Sequence, residues 1–273
     1  MRLSVLAIAL LGLAGPMAAV ASTWHPLDPA ATLVIDTTKG RILVEMQPAL
    51  APRAVERVIL LARERVYDGL LFHRVIDHFV DQTGNPNNKD GGSSSHPDLA
   101  PEFTFQLDAG GYMPAAKSTD GIAGFVGSLP IAGGQPPASG GKLRAWAAYC
   151  AGVVGMGRQE APGSANSEIF FMRDAARRLD HDYTAFGRVV VGLDVVRAIA
   201  VGEPPAAPDR MLRVRLLADL PDGDRPRVER MDEHAPAFAA LIAQSRAAEG
   251  ADFSVCDVEI PVRPAPRSGT GPE

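Results

Sequence analysis

The chain has 273 residues, with 46% hydrophobic and 22% charged side chains, enough apolar surface for one large domain or one domain with additions. Its formal charge of −5 is mild and spread out, which argues against a nucleic-acid surface, since that needs a basic patch or stripe. The six histidines are scattered and no Cys/His spacing suits a metal, so no metal site is expected.

The first residues carry a processing pattern. Arg2 is a short positive start, Leu3 to Leu13 an apolar core, and Ala19-Val20-Ala21 a small-x-small site ahead of Ser22. Residues 1–21 are therefore expected to be a secretory signal peptide, and the mature protein to be periplasmic or secreted. The apolar run is too short to span a bilayer. An uncleaved anchor is the other reading of it. No cysteine follows closely as a lipid acceptor, and no other long apolar run appears, so no membrane partner is expected after cleavage.

Residues 22–31 read as a leader, because Pro26 and Pro29 oppose regular structure. Thr32–Thr37 and Arg41–Met46 are β-rich runs joined by Thr38-Lys39-Gly40, a hairpin signal. Pro48 and Pro52 open a helix whose apolar face is Val55, Val58, Ile59 and Ala62. Strands follow at Leu71–Ile76 and Phe79–Thr83, with a short candidate at Glu102–Phe105. Residues 106–149 are rich in Gly, Ala, Pro and Ser and read as a long structureless insertion. It is either a lid over a substrate groove or a solvated loop whose Trp146 and Tyr149 pack on the domain. Val153–Met156, Ile169–Met172 and Ala185–Val190 are further strands, Leu193–Ala200 a second helix and Met211–Leu216 a last strand. Short strands with one helix early and one late suggest a closed barrel, which removes sheet edges. Residues 219–273 form an extension with one helix over Ala237–Ala248 and a disordered tail from Val262. Cys150 and Cys256 either pair in an oxidising compartment or remain separate buried thiols; both readings stand.

Three blocks point to chemistry. They are Phe72-His73-Arg74-Val75-Ile76-Asp77-His78-Phe79-Val80-Asp81-Gln82-Thr83-Gly84-Asn85-Pro86, then Gly152–Gly157 with Ser164–Met172, then Leu179–Val189. In this order they resemble the cyclophilins, peptidyl-prolyl cis-trans isomerases. The likeness covers Thr32 to Leu216 and implies a mainly β fold: a closed eight-stranded antiparallel barrel capped by two helices, here residues 32–218. It implies proline-containing polypeptides as substrates, no cofactor, and a monomer.

The resemblance also implies roles. Arg74 matches the catalytic arginine, and Phe79, Val80, Phe170 and Leu179 match the apolar proline pocket. Gln82 matches a glutamine that binds backbone or supports the arginine. Tyr183 stands where the best-studied members have histidine. Gly157-Arg158 replaces an Ala-Asn pair that normally meets the bound peptide, and Arg158 can still offer its backbone. Glu168 replaces a glutamine, and Thr83 and Asn85 replace a glycine and an aspartate. Arg178 replaces a tryptophan that contacts cyclosporin, so weak inhibition by that drug is expected.

The chemistry suits such residues. Rotation about X-Pro faces a barrier of ~18–20 kcal/mol from amide conjugation, while the two ends differ by only ~0.5–1 kcal/mol. The catalyst must bind the twisted amide better than the planar forms. Twisting makes the prolyl nitrogen pyramidal and able to accept a hydrogen bond, and a permanently charged guanidinium is an apt donor. The first reading is thus an isomerase that assists exported proteins to fold. The second is a catalytically weak chaperone or peptide-binding module whose insertion redirects the groove.

Overall fold

The short apolar runs assemble as three antiparallel sheets in a computed structural model, which describes residues 23–108, 110–118, 121–135 and 141–266. The expected signal segment, residues 1–21, lies outside these, as do residues 267–273 of the tail. The elements in order are β1 (Trp24–Pro26), β2 (Thr32–Thr37), β3 (Gly40–Met46), α1 (Pro52–Arg63), β4 (Arg74–Ile76), β5 (Val80–Thr83), β6 (Phe105–Asp108), β7 (Met113–Ser118), β8 (Gly121–Val126), β9 (Leu129–Gly133) and β10 (Lys142–Ala147). There follow β11 (Val153–Met156), β12 (Ile169–Met172), β13 (Ala185–Val191), α2 (Leu193–Ala198), β14 (Met211–Leu216), β15 (Val228–Met231), α3 (Pro236–Glu249) and β16 (Val262–Pro264).

The main sheet has eight strands in the order β14-β2-β3-β13-β11-β12-β5-β4. Its inner face is apolar: Leu33, Ile35, Ile42, Val44, Val154, Phe171 and Phe186 are buried in one cluster with Val58 and Leu61 of α1. α1 packs on β13 and β14, and α2 on β3. Proline occupies the first turn of α1, where no N–H is needed. The free N–H groups of Arg53 and Ala54 donate to the carboxylate of Glu102, at 3.1 and 3.0 Å. A negative charge at a helix N-terminus also meets the helix dipole favourably.

The fold is mainly β, but the expected closed barrel is an open sheet. The end strands β14 and β4 share no ladder. A single bridge between Leu71 and Arg210, with Phe72 N donating to Asp209 O at 3.0 Å, joins the segments beside them. The reason is local. β4 is three residues long, and Val75 exchanges hydrogen bonds with Gly202 instead, at 2.8 and 2.9 Å.

Three further expectations fail. Residues 106–149 are not a structureless loop. They supply most of a five-stranded sheet, β6-β10-β9-β8-β7. The small residues that suggested a loop serve close packing. A Cβ on Gly121 would lie 2.1 Å from Gly133 O, and one on Gly124 2.2 Å from Met113 O. β8 and β9 are joined through Gly127-Ser128, with Gly127 at φ 57°, a two-residue turn that favours glycine first. The leader is not irregular either, since β1 pairs with β15. The tail is ordered through Val262–Pro264, where β16 pairs with the other side of β15. Proline is tolerated in β1 and β16 because both are edge strands.

The extension and the insertion share a second core. Phe238 and Ile242 of α3 are buried with Phe125, Leu129, Ile131, Val80 and Phe170. Each such side chain contributes about 1.5–3 kcal/mol on burial. The Phe125 and Phe238 rings meet edge-on at 5.2 Å. Cys150 and Cys256 form a disulfide, with Cα atoms 5.0 Å apart, across 106 positions.

Two outcomes follow for stability. Closing a loop of this length restricts the unfolded chain, so the Cys150→Ser/Cys256→Ser variant should lose about 2–5 kcal/mol in denaturant titration; unchanged stability would contradict it. Buried Asp81 gives a pH signature. Desolvation pushes its carboxyl up to about 7 against the pull of Arg173 at 2.9 Å, and its Oδ2 lacks a partner among the described residues. The folded chain then holds a proton that the unfolded chain has released. This group's stabilisation is full below about pH 4 and lost as pH rises through about 7. As pH rises over that interval the wild type should lose stability relative to Asp81→Asn, which has no carboxyl to ionise, and a constant difference would refute the assignment.

Candidate functional site

Register places the site. Arg74 of β4 lies opposite Gln82 of β5, Gln82 opposite Phe170 of β12, and Phe170 opposite Gly155 of β11. Side chains alternate along strands, so these positions share the outer face while Val75, Phe171 and Val154 face the core. The result is one row across four strands.

Hydrogen bonds hold the row. Arg74 Nη1 donates to Gln82 Oε1. Gln82 Nε2 donates to Glu168 Oε1 at 2.8 Å, and Asn85 Nδ2 donates to the other Glu168 oxygen. A carboxylate only accepts, so Glu168 orients the Gln82 amide with its oxygen toward Arg74. Pairing of Val75 with Gly202 also brings Glu203 alongside, and Arg74 Nε donates to Glu203 Oε2 at 2.7 Å. Arg74 Nη2 retains its donors, with no partner among the described residues.

Beside the arginine lies an open hollow of about 70 Å³ lined by Arg74, Phe79, Val80, Gln82, Phe170, Leu179 and Tyr183. These are seven of the nine residues expected from the sequence. Tyr183 meets Phe170 edge-on at 5.6 Å, and Tyr149 stacks on Phe170 at 5.9 Å. Arg178 sits over the Phe79 ring at 4.2 Å. Leu179 ends a short turn, Arg177–Leu179, and the next residue, Asp180, accepts a hydrogen bond from Tyr149 N at 2.9 Å. Burial pushes the Tyr149 phenol and the Asp180 carboxyl up. The phenol thus stays neutral beneath the hollow.

Gly157 and Arg158 stand apart. They line an adjoining hollow with Gly91, Asp98, Asn166 and Glu168. Arg158 does reach back, its guanidinium 4.6 Å from the Tyr183 ring and its Nε donating to Asp182 O at 3.0 Å. No described residue of the insertion 106–149 lines the Arg74 hollow, although its last residue, Tyr149, stacks on Phe170 from outside that lining. Its Trp146 ring packs on His181 at 3.7 Å, outside the hollow.

Sequence reasoning missed three contributors. Gly155 is the first: a Cβ there would lie 2.6 Å from Phe170 Cζ and 2.9 Å from Tyr149 Oη, so only glycine lets both rings lie flat. A glycine inside a strand signals such close approach. Glu168 was noted as a departure but not as the brace for Gln82. Glu203 is 129 positions from Arg74, and no local pattern marks it. His73, Asp90 and Glu168 also offer ligand atoms within 4.8 Å of one another. The Glu168 carboxylate is already engaged by Gln82 and Asn85, so this group serves as the polar wall behind the row.

Comparison with known proteins agrees with the geometry. Residues 32–216 match the family described as "Cyclophilin type peptidyl-prolyl cis-trans isomerase/CLD". A protein of Brucella suis biovar 1 (strain 1330), named "Probable peptidyl-prolyl cis-trans isomerase", is 30% identical over 197 residues, covering 70% of this chain and 85% of that one. A protein of the same name from Brucella abortus (strain 2308) matches equally. The crystal structure of cyclophilin AquaCyp293 from Hirschia baltica superposes with a TM-score of 0.80 at 30% identity, covering 88% of this chain and 92% of that one. That overlap is wider than residues 32–216, so the likeness extends into the added segments. The chain belongs to the cyclophilin-type peptidyl-prolyl cis-trans isomerase family.

Proposed function

We propose that this isomerase uses Arg74 as its catalytic residue and the Phe79–Phe170–Leu179 hollow as its proline site. The observation that carries the proposal is the shared register of Arg74, Gln82 and Phe170, which sets a fixed cation beside an apolar surface. A shallow, open hollow suits one ring on an extended chain better than an enclosed small molecule. The proline ring rests against Phe170 and Leu179, edged by Tyr183. Gln82 and Glu203 hold two arms of the guanidinium, and the free Nη2 is the donor for the prolyl nitrogen as it turns pyramidal. Each ~1.36 kcal/mol by which this bond favours the twisted amide gives a tenfold rate gain. Gly157 and Arg158 take the flanking peptide.

The clients are exported polypeptides in this reading. Its support is the secretory pattern of residues 1–21 together with the Cys150–Cys256 disulfide, since disulfides persist in oxidising compartments. A groove filled by the insertion would favour the peptide-binding-module reading, and no described insertion residue lines it.

A protease-coupled assay on proline-containing tetrapeptides tests the proposal. Arg74→Ala should lower kcat/KM by about 10²–10³-fold, the usual loss on removing a transition-state donor, with unchanged thermal unfolding. Full activity in that variant would end the assignment. Gly155→Ala should drive the Phe170 ring into the hollow and lower kcat/KM about tenfold. Unaltered kinetics there would remove Phe170 from the site.

A further inference from the structure

A second cavity, of about 540 Å³, lies on another seam of the molecule. It is bounded by β13 and the start of α2, by the β8–β9 turn, by α3 and by residues 257–262. It shares no lining residue with the Arg74 hollow. Its volume is within the ordinary range for small-molecule sites, about 300–1,000 Å³.

One wall holds a buried cation. Arg188 is 4% exposed, and among the described residues its guanidinium donates only to main-chain oxygens: to Ala151 O at 3.3 Å and to Ser128 O at 3.2 Å. No carboxylate of the described residues is within ion-pair distance of it. Burial pulls the guanidinium down to about 10, against the attraction of Glu259. Buried charges in proteins are as a rule paired. Ser128 Oγ, in the same wall, is also buried without a hydrogen-bond partner among the described residues. An anion delivered to this wall would meet a charged fork and a hydroxyl.

The rim has the opposite sign. Asp257 and Glu259 are exposed there. Asp257 Oδ2 accepts from Ser254 N at 2.6 Å, and Glu259 is the rim carboxylate whose charge acts on Arg188. Between floor and rim the lining is apolar, from Val190, Leu193, Leu241 and Ile260. A plain anion would be repelled at this entrance, and a plain cation would face Arg188.

We infer that the seam binds a small zwitterion with an apolar body, of the amino-acid class, its carboxylate on Arg188 and Ser128 and its ammonium toward Glu259. Isothermal titration of the folded, disulfide-bonded protein tests this with L-leucine, N-acetyl-L-leucine and L-leucinamide. Leucine should bind saturably, and each singly charged analogue at least about tenfold more weakly. Arg188→Met should abolish binding. Because Arg188 is buried and its replacement can disturb the seam, the exposed Glu259→Gln is the second variant. It should weaken leucine about tenfold while leaving tetrapeptide isomerisation unchanged. Absence of binding up to about 10 mM leucine, equal affinity for the three compounds, or no effect of Glu259→Gln would each overturn the inference.

Discussion

The site depends on the register of β4, β5, β12 and β11. Because side chains alternate along a strand, a slip of one residue would turn Arg74 into the core and bring Val75 to the surface. That state would bury an unpaired guanidinium against Phe171 and Val154, at a cost few proteins of ordinary stability could bear. The apolar inner face therefore does more than stabilise the sheet. It decides which residues emerge beside Arg74, and so whether the outer row exists at all. The row is on one face and its guarantee is on the other.

The electrostatics of the row show a division of labour. Arg74 meets a neutral amide at Nη1 and a half-exposed carboxylate at Nε. The stronger constraint, the buried Glu168 carboxylate, stands one residue further back and acts on Gln82. A solvent-exposed pair such as Arg74–Glu203 contributes little energy, about 0–1 kcal/mol. Its effect is on direction: it takes the Nε donor and leaves Nη2 without a hydrogen-bond partner among the described residues. Placing the buried acid behind an amide orients the arginine without neutralising it at close range.

The parts of this arrangement that were legible in the sequence share one property: they are local. The β2–β3 hairpin was readable from Thr38-Lys39-Gly40 between two β-rich runs, and α1 from Pro52 and its apolar spacing. The Phe72–Pro86 run carried Arg74 and Gln82 in a single stretch. What escaped depends on contacts between distant positions. Glu203 reaches Arg74 only because Gly202 pairs with Val75. The open edge of the sheet has the same origin. The insertion misled for a different reason. Gly121, Gly124 and Gly133 resemble loop glycines in composition, yet each lies where a neighbouring strand comes too close for a side chain. Composition reports the absence of a side chain but not which backbone excludes it.

The two added segments are separate in sequence and single in energetics. β8 and β9 are buried along nearly their whole length, on both faces. One five-stranded sheet cannot achieve that alone, and α3 supplies cover through Phe238 against Phe125. The main sheet takes part through apolar residues such as Val80 and Phe170 and through one buried acid. Glu45 of β3 accepts from Arg230 of β15 at 2.7 Å and from Ser128 N at 3.0 Å, so a single carboxylate ties extension and insertion to the main-sheet strand between them. Bringing such distant segments together costs loop entropy that grows slowly with length. The Cys150–Cys256 bond falls where that cost is incurred, at the end of the insertion and beyond α3. The two additions therefore share one apolar core, and both line the seam against β13.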